Sequence, residues 1–363
     1  MKKIRVLVVE DSLTVRKRLV EVLSTSPDME VIAEAEDGKQ AIALCQDLRP
    51  DVITLDMMLP VMSGLAATEY IMAHCPTPIV VVSSSTNRGE LFKTYEALAA
   101  GAVEVMEKPH TDDITGDWEQ RFISTVRLVS RVRVITHLRA RLNSVATTQA
   151  PAVQKADENP GMPAAAGLRE PPCELIAIGA STGGPKAIVQ ILQSLPADFP
   201  LPVLIVVHIG EPFGIAFADW LDGQSKSRVK IAVDGQALGR GVFMAPPARH
   251  MLVRNKKIYL DNGPERHSCK PSVDVLFESL AAEHAGGVTA ALLTGMGNDG
   301  ARGLLAIRQA GGTTIAQDEL SSVVYGMPRE AMQLGAAQYI LPLSDIGPTI
   351  VRFANGKKSP GMT

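Results

Sequence analysis

The chain has 363 residues, with 36 basic against 39 acidic side chains, 46% apolar and 4% aromatic residues. That length favours two domains over one, and the balanced charge and scarce aromatics exclude a broad nucleic-acid or sugar-stacking surface. Four cysteines (Cys45, Cys75, Cys173, Cys269) without a C-x-x-C pair read as buried thiols in a reducing compartment, and no apolar run reaches membrane-spanning length, so a soluble cytoplasmic protein is expected.

In the first third, short apolar runs predict strands over 5–10, 30–35, 51–56, 78–83 and 103–106, with amphipathic helical stretches between them. Five βα units of this size predict a doubly wound parallel sheet, whose ligand site lies beyond the carboxyl ends of the strands. Glu10 and Asp11 end the first strand, Asp56 the third and Ser83 the fourth, and Lys108 follows the fifth. Three converging carboxylates repel one another without a cation, and an oxygen-only cluster suits Mg²⁺. A carboxylate beside a divalent ion and a lysine can accept a phosphoryl group. Unrelated surface acids at strand ends are the plainer explanation of any one residue, but not of all five at the correct ends.

Residues 118–142 form a basic amphipathic segment. It reads as a solvated helix leading into a linker, with a nucleic-acid helix as the rarer alternative. Residues 143–172 are rich in Ala, Pro, Thr and Gln, the composition of a poorly ordered tether.

In the second half, strands are predicted over 175–179, 203–208, 229–232, 241–245, 258–260, 290–293, 313–316 and 337–341. The first is followed by Gly179-Ala180-Ser181-Thr182-Gly183-Gly184-Pro185, which fits G-x-S-x-G in strand–turn–helix context. A glycine-rich phosphate turn fits the same residues. His208 ends the second of these strands, and Asp299 sits in a glycine-rich turn after 290–293. Either residue alone is ordinary: a structural histidine, or an acid capping a helix that begins at Ala301. Together with Ser181 they can share one sheet edge, where a serine needs an adjacent base and the base an acceptor. The order Ser, His, Asp differs from the Ser, Asp, His order of α/β-hydrolases.

Two resemblances follow. Val8-Val9-Glu10-Asp11-Ser12, Asp56-Met57-Met58-Leu59-Pro60 with Gly64, Ser83-Ser84 and Lys108-Pro109 resemble the receiver domain of two-component response regulators, with a flavodoxin-like fold. That resemblance implies Asp56 as phosphoacceptor, Mg²⁺ held by Glu10, Asp11, Asp56 and the Met58 carbonyl, phosphoryl contacts from Ser83 and Lys108, and a histidine kinase of the chemotaxis type as phosphodonor. Val105 stands where many receivers carry an aromatic switch residue, so output is expected through the surface from Ser83 to Glu96.

The second set is Gly179–Gly184, His208, Ala245-Pro246-Pro247 with His250, Lys270-Pro271-Ser272-Val273-Asp274, Thr294-Gly295-Met296-Gly297-Asn298-Asp299-Gly300, Ala316-Gln317-Asp318-Glu319 and Tyr325-Gly326-Met327-Pro328. It resembles the CheB family of chemotaxis protein-glutamate methylesterases across nearly the whole second half. The resemblance implies hydrolysis of glutamyl γ-methyl esters on chemoreceptor cytoplasmic helices, with deamidation of receptor glutamines. Ser181 would be nucleophile, His208 base and then acid, Asp299 its orienter, the Met296 N–H an oxyanion donor and Thr182 substrate-proximal, with no cofactor for the esterase step. Val207-His208-Ile209-Gly210, Cys269 and Lys270 depart from the family's usual residues, which bears on substrate preference. The expected organisation is a receiver over 1–125, a helix extension and linker over 126–172, a doubly wound α/β catalytic domain with a mostly parallel sheet over 173–352, and a tail over 353–363. The competing classes are a regulator whose second domain binds a partner or DNA without catalysis, and an esterase for small free esters.

Overall fold

The computed structural model describes residues 2–84, 88–109, 116–132, 134, 173–211 and 213–356. The tether expected over 143–172, most of the helix extension and the end of the tail lie outside those residues.

The N-terminal unit runs β1 (Ile4–Val9), α1 (Leu13–Ser24), β2 (Met29–Ala35), α2 (Gly38–Leu48), β3 (Val52–Leu55), α3 (Gly64–His74), β4 (Ile79–Ser83), α4 (Arg88–Ala100), β5 (Glu104–Glu107) and α5 (Asp117–Val129). All five expected strands form, in a parallel sheet of order β2-β1-β3-β4-β5. Continuous apolar runs such as Ile79–Val82 suit strands covered on both faces by helices. β1 and β3 flank the point where strand order reverses, so residues following them open onto the crevice of a doubly wound sheet. Helix α5 buries Trp118, Phe122, Val126 and Val129, spaced four, four and three apart along one face, with Trp118 and Phe122 stacked at 4.9 Å. Packing against the N-terminal sheet thus continues to Val129, past the boundary expected at 125. The outer face carries the arginines, and Arg127 pairs with Asp28 at 2.7 Å.

The second unit runs β6 (Leu175–Ala180), α6 (Gly184–Ser194), β7 (Pro202–Val207), α7 (Phe213–Gln224), β8 (Val229–Ile231), β9 (Gly241–Met244), β10 (His250–Arg254), β11 (Lys257–Asp261), α8 (Val273–His284), β12 (Val288–Leu292), α9 (Ala301–Gln309), β13 (Thr313–Gln317), α10 (Met327–Gln333), β14 (Tyr339–Leu341) and α11 (Leu343–Ala354). Seven strands form one parallel sheet, β14-β13-β12-β6-β7-β9-β8, and β10 and β11 form a separate antiparallel hairpin. From β6 the chain winds outward through β7, then returns to β12 on the other side. The carboxyl ends of β6, β7 and β12 therefore lie together at the switch point, where open α/β sheets bind ligands.

Strand β10 is absent from the sequence reading. Its hairpin turns on Asn255 and Lys256, both at positive φ (48° and 57°), the conformation of a type I′ turn. Lysine is not a residue that signals such a turn, so the hairpin carries no Asn-Gly mark.

The two units are packed together through α4 of the first and α6 and α7 of the second. Tyr95 of α4 is fully buried between Phe217 and Trp220, with ring centroids 5.3 and 5.6 Å away, and its hydroxyl donates to the Phe213 carbonyl. Arg88 pairs with Asp219 at 3.0 Å on the exposed rim. Burying a side chain of this size contributes about 1.5–3 kcal/mol, whereas an exposed ion pair contributes at most about 1 kcal/mol. Tyr95 is thus the anchor of the interface.

Candidate active site

Ser181 leaves β6 in a tight turn. Its N–H donates to the Thr294 carbonyl, and its own carbonyl accepts from the Gly184 N–H, closing the turn into α6. Gly183 lies at φ 77°, and Pro185 occupies the first turn of α6, where its missing N–H costs nothing. Gly295, in the turn after β12, is needed for a different reason: a Cβ there would sit 2.7 Å from the Ser181 Cβ. The two turns are further tied by the Thr294 hydroxyl, which donates to the Thr182 carbonyl at 3.0 Å.

His208 follows β7, directly beside this turn, because Ala180 and Val207 are in register and the His208 N–H donates to the Ala180 carbonyl. Its Nε2 lies 2.9 Å from Asp299 Oδ2. Asp299 is buried and fully engaged. Oδ1 accepts from the Ser272 hydroxyl and the Asp274 N–H, and Oδ2 also accepts from the Val273 N–H at 2.7 Å. These amides belong to the N-terminus of α8, whose dipole favours an anion. Burial pushes the Asp299 carboxyl up, but His208, Ser272 and Val273 outweigh it and hold it below its usual range. The helix that begins at Ala301 takes no side-chain cap, so Asp299 is not its cap.

With Nε2 committed to Asp299, Nδ1 is the nitrogen left to act as a base. It faces Cys269 Sγ at 3.5 Å. Burial works against the imidazolium, but the Asp299 and Cys269 contacts prevail and raise His208 to about 9. Ser181 is brought to the same edge, yet its hydroxyl is not hydrogen-bonded to His208 among the described residues. Such contacts are often long before substrate binds. Met296 extends an exposed side chain beside this edge, and its N–H donates to no protein acceptor among the described residues. Thr182 is buried, and its hydroxyl donates to Glu104 Oε2 of β5, from the other unit, at 2.7 Å.

The acids of the N-terminal unit converge as expected. One carboxylate oxygen each of Glu10, Asp11 and Asp56 lie within 4.8 Å of one another. Lys108 Nζ sits 2.9 Å from Glu10 Oε2 and 3.0 Å from Asp56 Oδ2, while the buried Asp56 Oδ1 has no hydrogen-bond partner among the described residues. Burial and the Asp56 charge raise Glu10 to about 7 against the pull of Lys108, and burial likewise raises Asp56. Burial opposes the Lys108 charge, but the two carboxylates dominate and raise its affinity for the proton. Three clustered carboxylates, one with an unsatisfied buried oxygen, fit a divalent cation. Met58 lies in the turn after β3, with its side chain exposed. Ser83 ends β4, but its hydroxyl is turned to α4: it donates to Glu90 Oε1 at 2.9 Å and lies 3.4 Å from the Thr94 hydroxyl.

The sequence assigns no role to Ser272, the first amides of α8, Glu104 or Tyr95; Cys269 was expected as one of four buried thiols and as a departure, and it and Cys173 are only half-buried. Ser272 stood within a quoted motif and was within reach. Glu104 and Tyr95 act across the interface between units, and no local pattern marks such a contact.

Residues 176–350 match the family model described as CheB methylesterase, and residues 6–116 match the response regulator receiver domain. A protein-glutamate methylesterase/protein-glutamine glutaminase of Nitrosospira multiformis is 40% identical, covering 96% of this chain and 97% of its own. One of Carboxydothermus hydrogenoformans is also 40% identical, covering 97% and 99%. The crystal structure of the Thermotoga maritima CheB methylesterase catalytic domain is 34% identical over 50% of this chain and 98% of its own, with a TM-score of 0.48.

Proposed function

The chain belongs to the CheB family of receiver-controlled protein-glutamate methylesterases and protein-glutamine glutaminases, and on that premise we propose how its own residues carry the reaction. Ser181 Oγ attacks the γ-carbonyl of a glutamyl methyl ester while His208 Nδ1 takes its proton. Asp299, held by α8, accepts the Nε2–H and stabilises the imidazolium, as the acid does in serine hydrolases generally. The Met296 N–H stabilises the developing oxyanion, a contribution worth about 3 kcal/mol in comparable sites. Methanol leaves with the proton from His208. Water, deprotonated by the same base, then releases glutamate and restores the serine. With a glutamine substrate, ammonia leaves instead.

The substrate is the cytoplasmic helical region of a chemoreceptor, and the phosphodonor is a histidine kinase of the chemotaxis type. Asp56 accepts the phosphoryl group; Lys108 contacts its oxygens, and the Ser83 hydroxyl does so once it leaves Glu90. Glu10, Asp11, Asp56 and the Met58 carbonyl would hold Mg²⁺, which when bound offsets the negative charge of the transferring group. No helix among the described residues is long and apolar enough to cross a membrane. In the resting state the receiver covers the Ser181 edge, and phosphorylation of Asp56 loosens it. The link runs from Ser83 through Glu90 and Thr94 to Tyr95 on the same helix, α4, which supports output through that helix and needs no aromatic at Val105.

The observation that carries the reading is the His208–Asp299 pair at 2.9 Å, set beside the Ser181 turn at the switch point. Methanol release from a methylated receptor fragment tests it. Ser181→Ala should abolish release and leave Asp56 phosphorylation intact; full release by that variant would refute the assignment of the nucleophile.

A further inference from the structure

Glu104 opens β5 at the edge of the receiver sheet and reaches into the catalytic unit. Its Oε2 accepts from the Thr182 hydroxyl at 2.7 Å, and its Oε1 from the Val105 N–H at 3.1 Å. Thr182 is the residue after the candidate nucleophile and is only 6% exposed. Its backbone is pinned by Thr294. The two-turn scaffold that holds Ser181 therefore also fixes the Thr182 hydroxyl.

Nothing in the contact resembles an ordinary interface salt bridge. Glu104 is half-buried, and a carboxylate drawn even partly out of water between two units is costly unless a strong partner compensates. Here the partners are a hydroxyl, one amide and the nearby positive charge of His208; burial raises the Glu104 carboxyl, and these contacts oppose it. The group lodged there is also chemically specific. It is the γ-carboxylate of a glutamate on a folded protein, which is what remains after a protein glutamyl ester or a protein glutamine is hydrolysed.

We propose that Glu104 is a built-in product analogue, occupying the subsite in which the Thr182 hydroxyl receives the γ-carboxyl group of the substrate. The inference rests on the esterase reading above and deepens it. Thr182 is a substrate-positioning residue, and the receiver blocks the site by filling it with a reaction product as well as by covering it. Aspartate, one methylene shorter, does not reach the Thr182 hydroxyl from the same backbone.

The consequence is a self-directed reaction. Glu104→Gln presents a glutaminyl side chain to the centre in the same chain. Ser181 Oγ bonds to the amide carbon as its proton passes to His208; the C–N bond breaks and ammonia departs with that proton. Water then cleaves the acyl–serine bond, leaving glutamate at position 104 and a free serine.

The test uses the full chain. Peptide mass analysis of Glu104→Gln on incubation should show conversion of that amide to the acid, and adding Ser181→Ala to the same chain should stop it. Without a phosphodonor, Glu104→Ala should raise methanol release from methylated receptor on the order of tenfold, the effect of losing one charged hydrogen bond. Glu104→Asp should raise it too. A side-chain amide that persists while the same sample deamidates receptor glutamine would overturn the proposal, as would an unchanged resting rate for Glu104→Ala. Failure of the phosphorylated wild-type chain to release methanol would instead overturn the esterase reading, and the inference with it.

Discussion

His208 turns Nε2, not Nδ1, toward Asp299, at 2.9 Å from Oδ2. This reverses the nitrogens of the chymotrypsin arrangement, in which the acid holds Nδ1 and Nε2 meets the serine. The neutral ring must then carry its proton on Nε2, and Nδ1 is the base. Replacing the acid by asparagine leaves the shape but lets the amide stabilise the wrong tautomer. Asp299→Asn should lower kcat by about 10⁴ with little change in KM, by analogy with the same change in a serine protease. Steady-state methanol release from methylated receptor checks this.

Cys269 lies 3.5 Å from the other nitrogen and helps raise His208 to about 9. A base must be unprotonated to act. The esterase rate should therefore climb with pH through neutrality and level off only near pH 9. The thiol favours the imidazolium, so Cys269→Ala should lower the His208 pKa and shift the rising limb of the kcat/KM profile to lower pH, increasing the rate at pH 7. A limb that moves upward in the variant would contradict the assignment of Nδ1 as the base.

Tyr95 joins the phosphorylation unit to the esterase unit. Truncating a buried aromatic costs about 3–5 kcal/mol, and each 1.4 kcal/mol is a factor of ten in an equilibrium. Tyr95→Ala should raise methanol release without phosphodonor by tenfold or more, on the order set by those values. Arg88→Ala takes from the interface an exposed ion pair and should change it by about fivefold or less. Both are measured on the full chain.

The carboxylates of Glu10, Asp11 and Asp56 should make phosphorylation depend on a divalent cation, whereas the serine chemistry proposed at Ser181 calls for none. Chelation with EDTA should remove the stimulation of methanol release by acetyl phosphate and leave the unstimulated rate within about twofold. Glu10→Gln should weaken the dependence on added Mg²⁺ without changing the unstimulated rate.

Much of this was legible in the chain because both sites hang on strand ends. A strand of four to six apolar residues, a polar residue after it and a glycine-rich turn form a local signal, and Glu10, Asp56, Ser181 and His208 each follow such a run. Asp299 was legible as a candidate but not in its attachment: its partners, Ser272 and the first amides of α8, are brought to it only by the packing of that helix. Strand β10 was hidden because Asn255 and Lys256 adopt a glycine-like turn without glycine. Glu104 and Tyr95 looked like ordinary strand and helix residues, since their roles depend on how two separately folded units meet. The departure at Cys269 was visible as a sequence difference, but its contact with His208 was not.

The central claim is that a phosphoryl group on Asp56 uncovers the Ser181 centre. Its most direct test is the initial rate of methanol release from a methylated chemoreceptor fragment, with and without acetyl phosphate and Mg²⁺, for the wild-type chain and for Asp56→Asn. The phosphodonor should accelerate the wild-type chain and leave Asp56→Asn at its resting rate. Equal acceleration of both proteins, or none of the wild type, would contradict it.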